Sequence, residues 1–155
     1  MAHALDPGGS AADETEIDPA LRAHLAGVAV RTGHVYADDG ARLSYKVFGD
    51  RGRPIALLNG LGGTYRTFGD IVGLLARDHR LVTFDYRGMF ESLDVGPARE
   101  HAVPRHAHDL FTVLNAAGVQ RPVLLGWSMG VQVALEAWRL APDRVEALVL
   151  VAGVA

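Results

Sequence analysis

Four short, mainly apolar segments recur along this chain and constrain its fold more than any other feature. They are PIALLNG from Pro54, RLVTFDYRG from Arg80, PVLLGWS from Pro122 and VEALVLVAG from Val145. Segments with apolar residues at helical spacing separate them. Buried strands that alternate with helices are typical of a mainly parallel sheet with both faces covered. The sequence therefore predicts an α/β fold with right-handed crossovers and helices on both faces.

Three segments between these strands have the apolar periodicity of amphipathic helices. They span 64–77, 104–117 and 129–140, and Gly118 supplies a stop for the second helix. The residues expected to face the core are Phe68, Ile71, Val72 and Leu75 in the first helix, and Leu110, Val113, Leu114 and Ala117 in the second.

The first 27 residues differ in composition from the rest. Residues 1–17 are small, polar and acidic, and we expect them to form a mobile tail. Asp18 followed by Pro19 predicts an N-cap and a first helical residue, and Gly27 predicts the end of this short helix. We therefore assign 1–27 to an acidic tail and a short helix.

A β-hairpin is predicted next. Asp39-Gly40 lies between alternating apolar residues, and this dipeptide favours a tight turn between two strands. We expect the strands near 29–37 and 41–48. The order of elements is then two strands, three strand–helix units and a final strand.

Composition and charge exclude several classes of function. The chain has 155 residues, 49% of them hydrophobic, and a net charge of −3 without a basic block, so nucleic acid is not an expected partner. The absence of cysteine excludes disulfides, thiol catalysis and zinc–thiolate sites. No apolar run approaches the ~20 residues of a membrane span, and the N-terminus lacks the pattern of a secretory signal. We expect a soluble, cytoplasmic protein that makes no membrane contact.

The histidines show no pattern of a catalytic or metal-binding site. His106 and His108 precede Asp109, but residues two apart on a helix point in different directions. We therefore expect no metal and no cofactor, and we expect all seven histidines to be solvated surface residues. They are His3, His24, His34, His79, His101, His106 and His108.

One serine lies where a catalytic serine would be expected. Gly126-Trp127-Ser128-Met129-Gly130 matches G-x-S-x-G between an apolar strand and a helix, which is the context of a nucleophile elbow. Such a turn strains the serine backbone and exposes its hydroxyl at the carboxyl end of the sheet, where open α/β sheets bind ligands. The alternative is that Ser128 only caps the following helix.

Further segments match one family pattern in the same order. LLNGLGG follows the third predicted strand, FDYRGMFES the fourth and GWSMG the fifth, and APDRVEALVLVAG leads into the sixth. Over about residues 28–155 the chain resembles the α/β-hydrolase fold family, in particular its small-molecule esterases and cofactor-free haloperoxidase-like members. The resemblance implies a serine hydrolase that forms an acyl-enzyme on an ester-, amide- or lactone-type small molecule without a cofactor.

The resemblance also implies roles for individual residues. Ser128 would be the nucleophile, and the backbone N–H groups of Met129 and Leu61 would be the two oxyanion donors. Losing one such donor typically costs ~100–1,000-fold in rate. Trp127 and Leu61 would line an apolar substrate pocket.

Five positions around this pattern depart from the family or need a separate interpretation. Asn59 stands where the family usually has His, Phe90 replaces a usual glycine, and Val131 replaces a second one. Asp85 is interpreted as a structural residue that organises the following loop with Arg87. None of these differences excludes catalysis.

The family's other two triad residues are not assigned within this chain. The family order is Ser, then Asp or Glu, then His, and these 155 residues reach only the sixth predicted strand. We therefore expect 28–155 to be the N-terminal portion of an α/β-hydrolase domain. A missing C-terminal segment or a second polypeptide would complete the sheet and supply the acid and the histidine. We expect the isolated chain to be inactive.

Two other functions were weighed. A non-catalytic ligand-binding or interaction protein could retain the hydrolase scaffold without a base. A nucleotide-binding domain is suggested by NGLGGT, but Tyr65 occupies the position of the third glycine in G-x-G-x-x-G and no P-loop sequence follows. The nucleotide-binding interpretation is therefore excluded.

Overall fold

Six strands form one sheet in the computed structural model, which describes residues 17–93 and 100–153. The strands are β1 (Val30–Tyr36), β2 (Arg42–Phe48), β3 (Pro54–Leu58), β4 (Arg80–Phe84), β5 (Val123–Trp127) and β6 (Ala147–Val151). Their order across the sheet is β1-β2-β4-β3-β5-β6. The α/β fold expected from the sequence is confirmed.

The sheet is antiparallel at one side and parallel across the rest. β1 pairs with β2 and β2 with β4 in antiparallel fashion, and the predicted hairpin turn closes with the Ala37 N–H donating to the Ala41 carbonyl at 2.9 Å. β4, β3, β5 and β6 are parallel neighbours. The carboxyl ends of β3, β4 and β5 therefore meet at one edge of the sheet.

Four α-helices accompany the strands within the described residues. They are α1 (Pro19–His24), α2 (Gly69–Leu75), α3 (Val103–Ala116) and α4 (Met129–Leu140). Shorter 3-10 turns span Tyr65–Phe68, Phe90–Ser92 and Pro142–Arg144. Within the described ranges, no helix has the length and apolar character needed to cross a bilayer.

The helix predicted over 64–77 is divided in the structure. Its first part is a 3-10 turn in which the Thr64 hydroxyl caps the start by accepting the Arg66 N–H. The α-helix begins only at Gly69, and Gly69 and Gly73 both lower its intrinsic helix propensity. Phe68 and Val72 are buried as expected, but the regular helix is about half as long as predicted.

The short N-terminal helix forms where the sequence predicts it. Asp18 is the N-cap and its carboxylate accepts the Ala20 N–H at 2.9 Å, with Pro19 as the first helical residue. Ile17, which we had assigned to the tail, is buried together with Leu21 and Leu25. Residues 1–16, the rest of the predicted tail, lie outside the described residues.

Two apolar cores cover the two faces of the sheet. Along β3, Ile55 and Leu57 pack into the core under α1 and α2, whereas Ala56 and Leu58 pack into the core under α3 and α4. Because side chains alternate between the faces of a strand, both sets of residues must be apolar. This explains the wholly apolar sequence of β3 and confirms helices on both faces.

β6 forms an edge of the sheet and has an apolar, exposed surface. It pairs with β5 on one side, and Val149, Leu150 and Val151 are each exposed at 44–45%. An exposed apolar edge strand offers unpaired backbone groups to another strand. Within the described residues, β6 is therefore the parallel edge at which the sheet could be extended, opposite the antiparallel edge strand β1.

Candidate active site

Ser128 occupies a strained turn between a strand and a helix. β5 ends at Trp127 and α4 begins at Met129, and Ser128 between them has φ 55° and ψ −120°. This left-handed backbone costs a non-glycine residue about 1–3 kcal/mol. The turn is held because the Ser128 N–H donates to the Val151 carbonyl and its own carbonyl accepts the Val131 N–H, both at 3.0 Å.

The Ser128 side chain does not cap the helix that follows it. No hydrogen bond joins its hydroxyl to the first turn of α4, and no other partner for it exists in the described part of the chain. The helix-capping interpretation is therefore wrong. The hydroxyl is half-buried and free to react or to bind.

The two glycines of the elbow allow backbone to approach backbone. A Cβ placed on Gly130 would lie 2.1 Å from the Leu58 carbonyl oxygen, and one on Gly126 would lie 2.4 Å from the Gly130 carbonyl oxygen. No side chain fits at either distance. The start of α4 consequently packs directly against the end of β3, which brings the loop after β3 beside Ser128.

Gly60 lies in that loop and touches the elbow. A Cβ placed on Gly60 would lie 2.8 Å from the Trp127 ring and 3.1 Å from the Ser128 Cβ. The loop turns tightly here, since the Gly63 N–H donates to the Gly60 carbonyl at 3.0 Å. Leu61, the next residue, is therefore held close to the serine.

Two backbone N–H groups near Ser128 have no acceptor. Among residues 17–93 and 100–153, neither the Leu61 N–H nor the Met129 N–H donates a hydrogen bond. The Met129 N–H is one of the unpaired donors at the start of α4, where the helix dipole also favours negative charge. The structure therefore leaves two backbone donors near Ser128 unpaired.

The apolar residues expected to contact substrate have different environments. Leu61 is 71% exposed at the carboxyl edge of the sheet. Trp127 is half-buried and packs against the core under α1 and α2, with its ring against Gly60. Leu61 is thus available to a ligand, whereas Trp127 contributes at least partly to the core.

Hydrogen bonds from β4 and from the loop after it support the loop after β3. The Asn59 side chain is 1% exposed, and its amide donates a long, 3.5 Å hydrogen bond to the Thr83 hydroxyl. The Asn59 carbonyl accepts the buried Tyr86 hydroxyl at 2.9 Å. Tyr86 is not among the residues predicted from sequence motifs. The available signal was that a buried tyrosine hydroxyl usually needs a hydrogen-bond partner.

Asp85 and Arg87 both hold the loop after β4, but through separate partners. The Asp85 carboxylate accepts the Glu91 N–H at 3.2 Å, and its carbonyl accepts the Ser92 hydroxyl at 2.8 Å. Arg87 is fully buried and pairs with Asp109 and Asp39. Burial raises the pKa of the Asp85 carboxyl to about 6, and the Glu91 N–H opposes this shift.

One histidine differs from its sequence-based interpretation. His106 is only 2% exposed and its ring lies 4.6 Å from the Tyr86 ring, so the expectation of a surface residue is wrong. Burial lowers the pKa of His106 below its usual value, which favours the neutral imidazole. Four of the other histidines are exposed: His24, His34, His101 and His108. His79 is half-buried, and His3 lies outside the described residues.

Among the described residues, no group of three His, Asp or Glu side chains could hold a metal ion.

Comparison with known proteins decides the family. The α/β-hydrolase fold model matches residues 53–155. This chain belongs to the α/β-hydrolase fold family. The matched α/β-hydrolase segment begins just before β3 and includes the Ser128 turn, the loop after β3 and the loop after β4.

Individual relatives agree with this assignment. A protein from Azorhizobium caulinodans named as a carbamate hydrolase, RutD, is 34% identical over 120 residues, which cover 76% of this chain and 44% of the relative. A hydrolase from Pseudomonas aeruginosa PA01 has a TM-score of 0.70 at 32% identity, covering 77% of this chain and 44% of the neighbour. Est816, described as an N-acyl homoserine lactone degrading enzyme, has a TM-score of 0.71 at 27% identity, covering 78% of this chain and 45% of the neighbour.

The chain therefore spans less than half the length of these α/β hydrolases. Two of the three are named as hydrolases and the third as a lactone-degrading enzyme.

Proposed function

We propose that this protein is a serine hydrolase that acts through an acyl-enzyme, with Ser128 as the nucleophile. The observation that carries the proposal is the Ser128 turn: a non-glycine residue at φ 55° with an unpaired hydroxyl, beside two unpaired N–H donors. Backbone strain of this kind clusters at active sites and ligand-binding turns. The fold family and the names of the relatives support hydrolysis as the reaction class.

The chemistry assigns each group a role. The Ser128 oxygen attacks the substrate carbonyl carbon, a base takes the hydroxyl proton, and the Leu61 and Met129 N–H groups hold the oxyanion. When the tetrahedral intermediate collapses, the bond to the leaving alcohol or amine breaks and the base returns the proton to the leaving group. Water then repeats the sequence on the acyl-enzyme and releases the acid.

The base and its acid are proposed to come from polypeptide outside these 155 residues. In the described part of the chain, no histidine or carboxylate bonds the Ser128 hydroxyl. Serine without a base is a weak nucleophile. The Ser128 N–H bonds the Val151 carbonyl, so the exposed apolar edge of β6 lies beside the elbow. This edge could pair with a further strand of the polypeptide that carries the base and the acid.

The substrate class follows from the oxyanion site and its neighbours. Two N–H donors suit a carbonyl that becomes tetrahedral, as in esters, amides, lactones and carbamates. The relatives named for carbamate and N-acyl homoserine lactone chemistry support small molecules of this kind. Exposed Leu61 favours an apolar group next to the reacting carbonyl.

A fluorophosphonate probe tests the proposal. Labelling should occur in the protein completed by its C-terminal portion, should be lost in Ser128→Ala and should persist in Ser44→Ala, which removes a buried hydroxyl elsewhere in the sheet. The isolated 155-residue chain should label far more slowly. Absence of Ser128-dependent labelling in the completed protein would refute the proposal.

The second candidate is a non-catalytic ligand-binding protein on the same scaffold. The observation that favours it is that no histidine or carboxylate of the described residues reaches the Ser128 hydroxyl as a base. The same labelling experiment separates the two candidates, because a binding protein would leave the probe unreacted while retaining the fold.

A further inference from the structure

The Tyr86 hydroxyl is a buried donor directed at the loop beside Ser128. Tyr86 is 1% exposed and comes from the loop after β4. Its hydroxyl donates to the Asn59 backbone carbonyl at 2.9 Å, across 27 positions of sequence. Because the Asn59 carbonyl is itself buried, loss of this donor would leave a buried acceptor without its partner.

The hydrogen bond acts on the peptide next to the Leu61 N–H. Tyr86 holds the Asn59–Gly60 peptide, and the turn bond from Gly63 holds the carbonyl of the Gly60–Leu61 peptide. The Leu61 N–H belongs to that second peptide. The two planes share only the Gly60 Cα, and glycine has the widest backbone freedom of any residue. A hydrogen bond to each of the two peptide groups is therefore needed to fix the direction of the Leu61 N–H.

The surroundings of Tyr86 leave its ring little freedom. The ring lies edge-on to Phe84 with centroids 5.2 Å apart, and His106 packs against it at 4.6 Å. All three side chains are at most 3% exposed. Burial also raises the pKa of the Tyr86 phenol far above its usual value, so the hydroxyl keeps its proton and remains a donor.

We propose that Tyr86 is a positioning residue for the Leu61 oxyanion donor, an inference that rests on the function proposed above. Tyr86 does not touch the substrate. It fixes the Asn59–Gly60 peptide, and through Gly60 it sets where the Leu61 N–H points. A functional group must be held within about 0.5 Å of its productive position, so a small shift of the loop lowers transition-state stabilisation.

Tyr86→Phe tests the inference because it removes only the hydroxyl. In the completed protein with p-nitrophenyl butyrate, kcat should fall about 10-fold or more while KM changes less than about 2-fold, since the lost interaction is specific to the transition state. The affinity for a boronic acid that mimics the tetrahedral intermediate should fall in parallel. Ser92→Ala is the matched control: it also removes a buried, hydrogen-bonded hydroxyl from the loop after β4, and it should leave kcat unchanged.

Amide hydrogen exchange supplies a readout independent of turnover. Tyr86→Phe should accelerate exchange in the segment 60–63, and Ser92→Ala should not. A Tyr86→Phe variant with normal kcat, or with a kcat loss equal to that of Ser92→Ala, overturns the positioning role. Unchanged exchange at 60–63 overturns it as well. If no preparation shows Ser128-dependent labelling, both the proposed function and the positioning role of Tyr86 fail. If labelling is normal and Tyr86→Phe has the kcat of the wild type, only the positioning role is overturned.

Discussion

The Arg87 guanidinium and the Asp109 carboxylate face each other in the interior, joined by two hydrogen bonds of 2.7 Å. Neither side chain is exposed to solvent. Arg87 also bonds Asp39 at the tip of the β1–β2 hairpin, at 2.6 Å. One arginine therefore ties the loop after β4 to both α3 and the hairpin, and this loop carries Tyr86.

Removing one partner of the buried pair should be strongly destabilising. Asp109→Ala leaves Asp39 as the remaining carboxylate partner of the buried Arg87 charge, and we expect the free energy of unfolding to fall by about 3–5 kcal/mol, measured by urea denaturation. Arg139→Ala, which breaks the exposed pair with Glu136 on α4, is the control and should have a far smaller effect. Equal losses in the two variants would contradict the buried pair's role in holding the loop.

A side chain at Gly130 should disrupt the elbow. Gly130→Ala places a Cβ 2.1 Å from the Leu58 carbonyl oxygen, so either α4 or β3 must move, and stability should fall by about 3 kcal/mol or more. Thermal unfolding measures this change. Gly69→Ala is the control, because a Cβ there meets nothing within 4 Å and α2 should be unchanged or slightly stabilised. If Gly130→Ala unfolds like the wild type, the close approach of the two backbones is not present in solution.

Phe90 has a backbone conformation that favours glycine. Its φ is 47°, at the position where the resemblance expects a glycine, and the side chain is 44% exposed. Phe90→Gly should therefore raise the free energy of unfolding by about 1 kcal/mol, since the left-handed conformation costs an L-residue about that much. Phe90→Ala keeps the Cβ and should bring no such gain. Guanidinium denaturation of both variants compares them, and equal stabilisation by Ala and Gly would argue against strain at this position.

Asp85 should make stability fall as the pH rises from 4 to 6. Its pKa is raised from 3.8 to about 6 by burial, so the folded state binds this proton more tightly than the unfolded state. The resulting stabilisation is complete below pH 4 and is lost as the pH rises through about 6. The shift corresponds to at most about 3 kcal/mol.

Asp85→Asn tests this linkage because asparagine can still accept the Glu91 N–H. Urea denaturation at pH 4 and pH 7 should show similar stability for the two proteins at the lower pH and a more stable variant at the higher pH. The raised pKa is refuted if the free energy of unfolding of the wild type changes between pH 4 and pH 7 by the same amount as that of the variant.

Features that depend on short-range chemistry were predicted closely. The structure agrees with three such predictions: the cap at Asp18, the turn at Asp39-Gly40 and the span of α4. Caps, turns and helical periodicity depend on residues only a few positions apart in sequence. The helix over 64–77 was predicted too long, since its apolar spacing continues through a 3-10 turn. His106 was misplaced because its burial depends on Tyr86, which comes from a different part of the chain.

The sequence by itself determined the order of strands and helices along the chain and the position of Ser128. Apolar periodicity and the two glycines around the serine are properties of residues that are close in sequence. The tertiary structure alone decided which polar groups meet: that Arg87 pairs with Asp109, 22 positions away, and that the Tyr86 hydroxyl reaches Asn59, 27 positions away. The Tyr86–Asn59 contact arises because the parallel strands β3 and β4 bring their carboxyl ends together, and the Arg87–Asp109 pair arises because α3 packs beside the loop after β4. A local pattern cannot specify the distance between side chains that only the completed sheet places side by side.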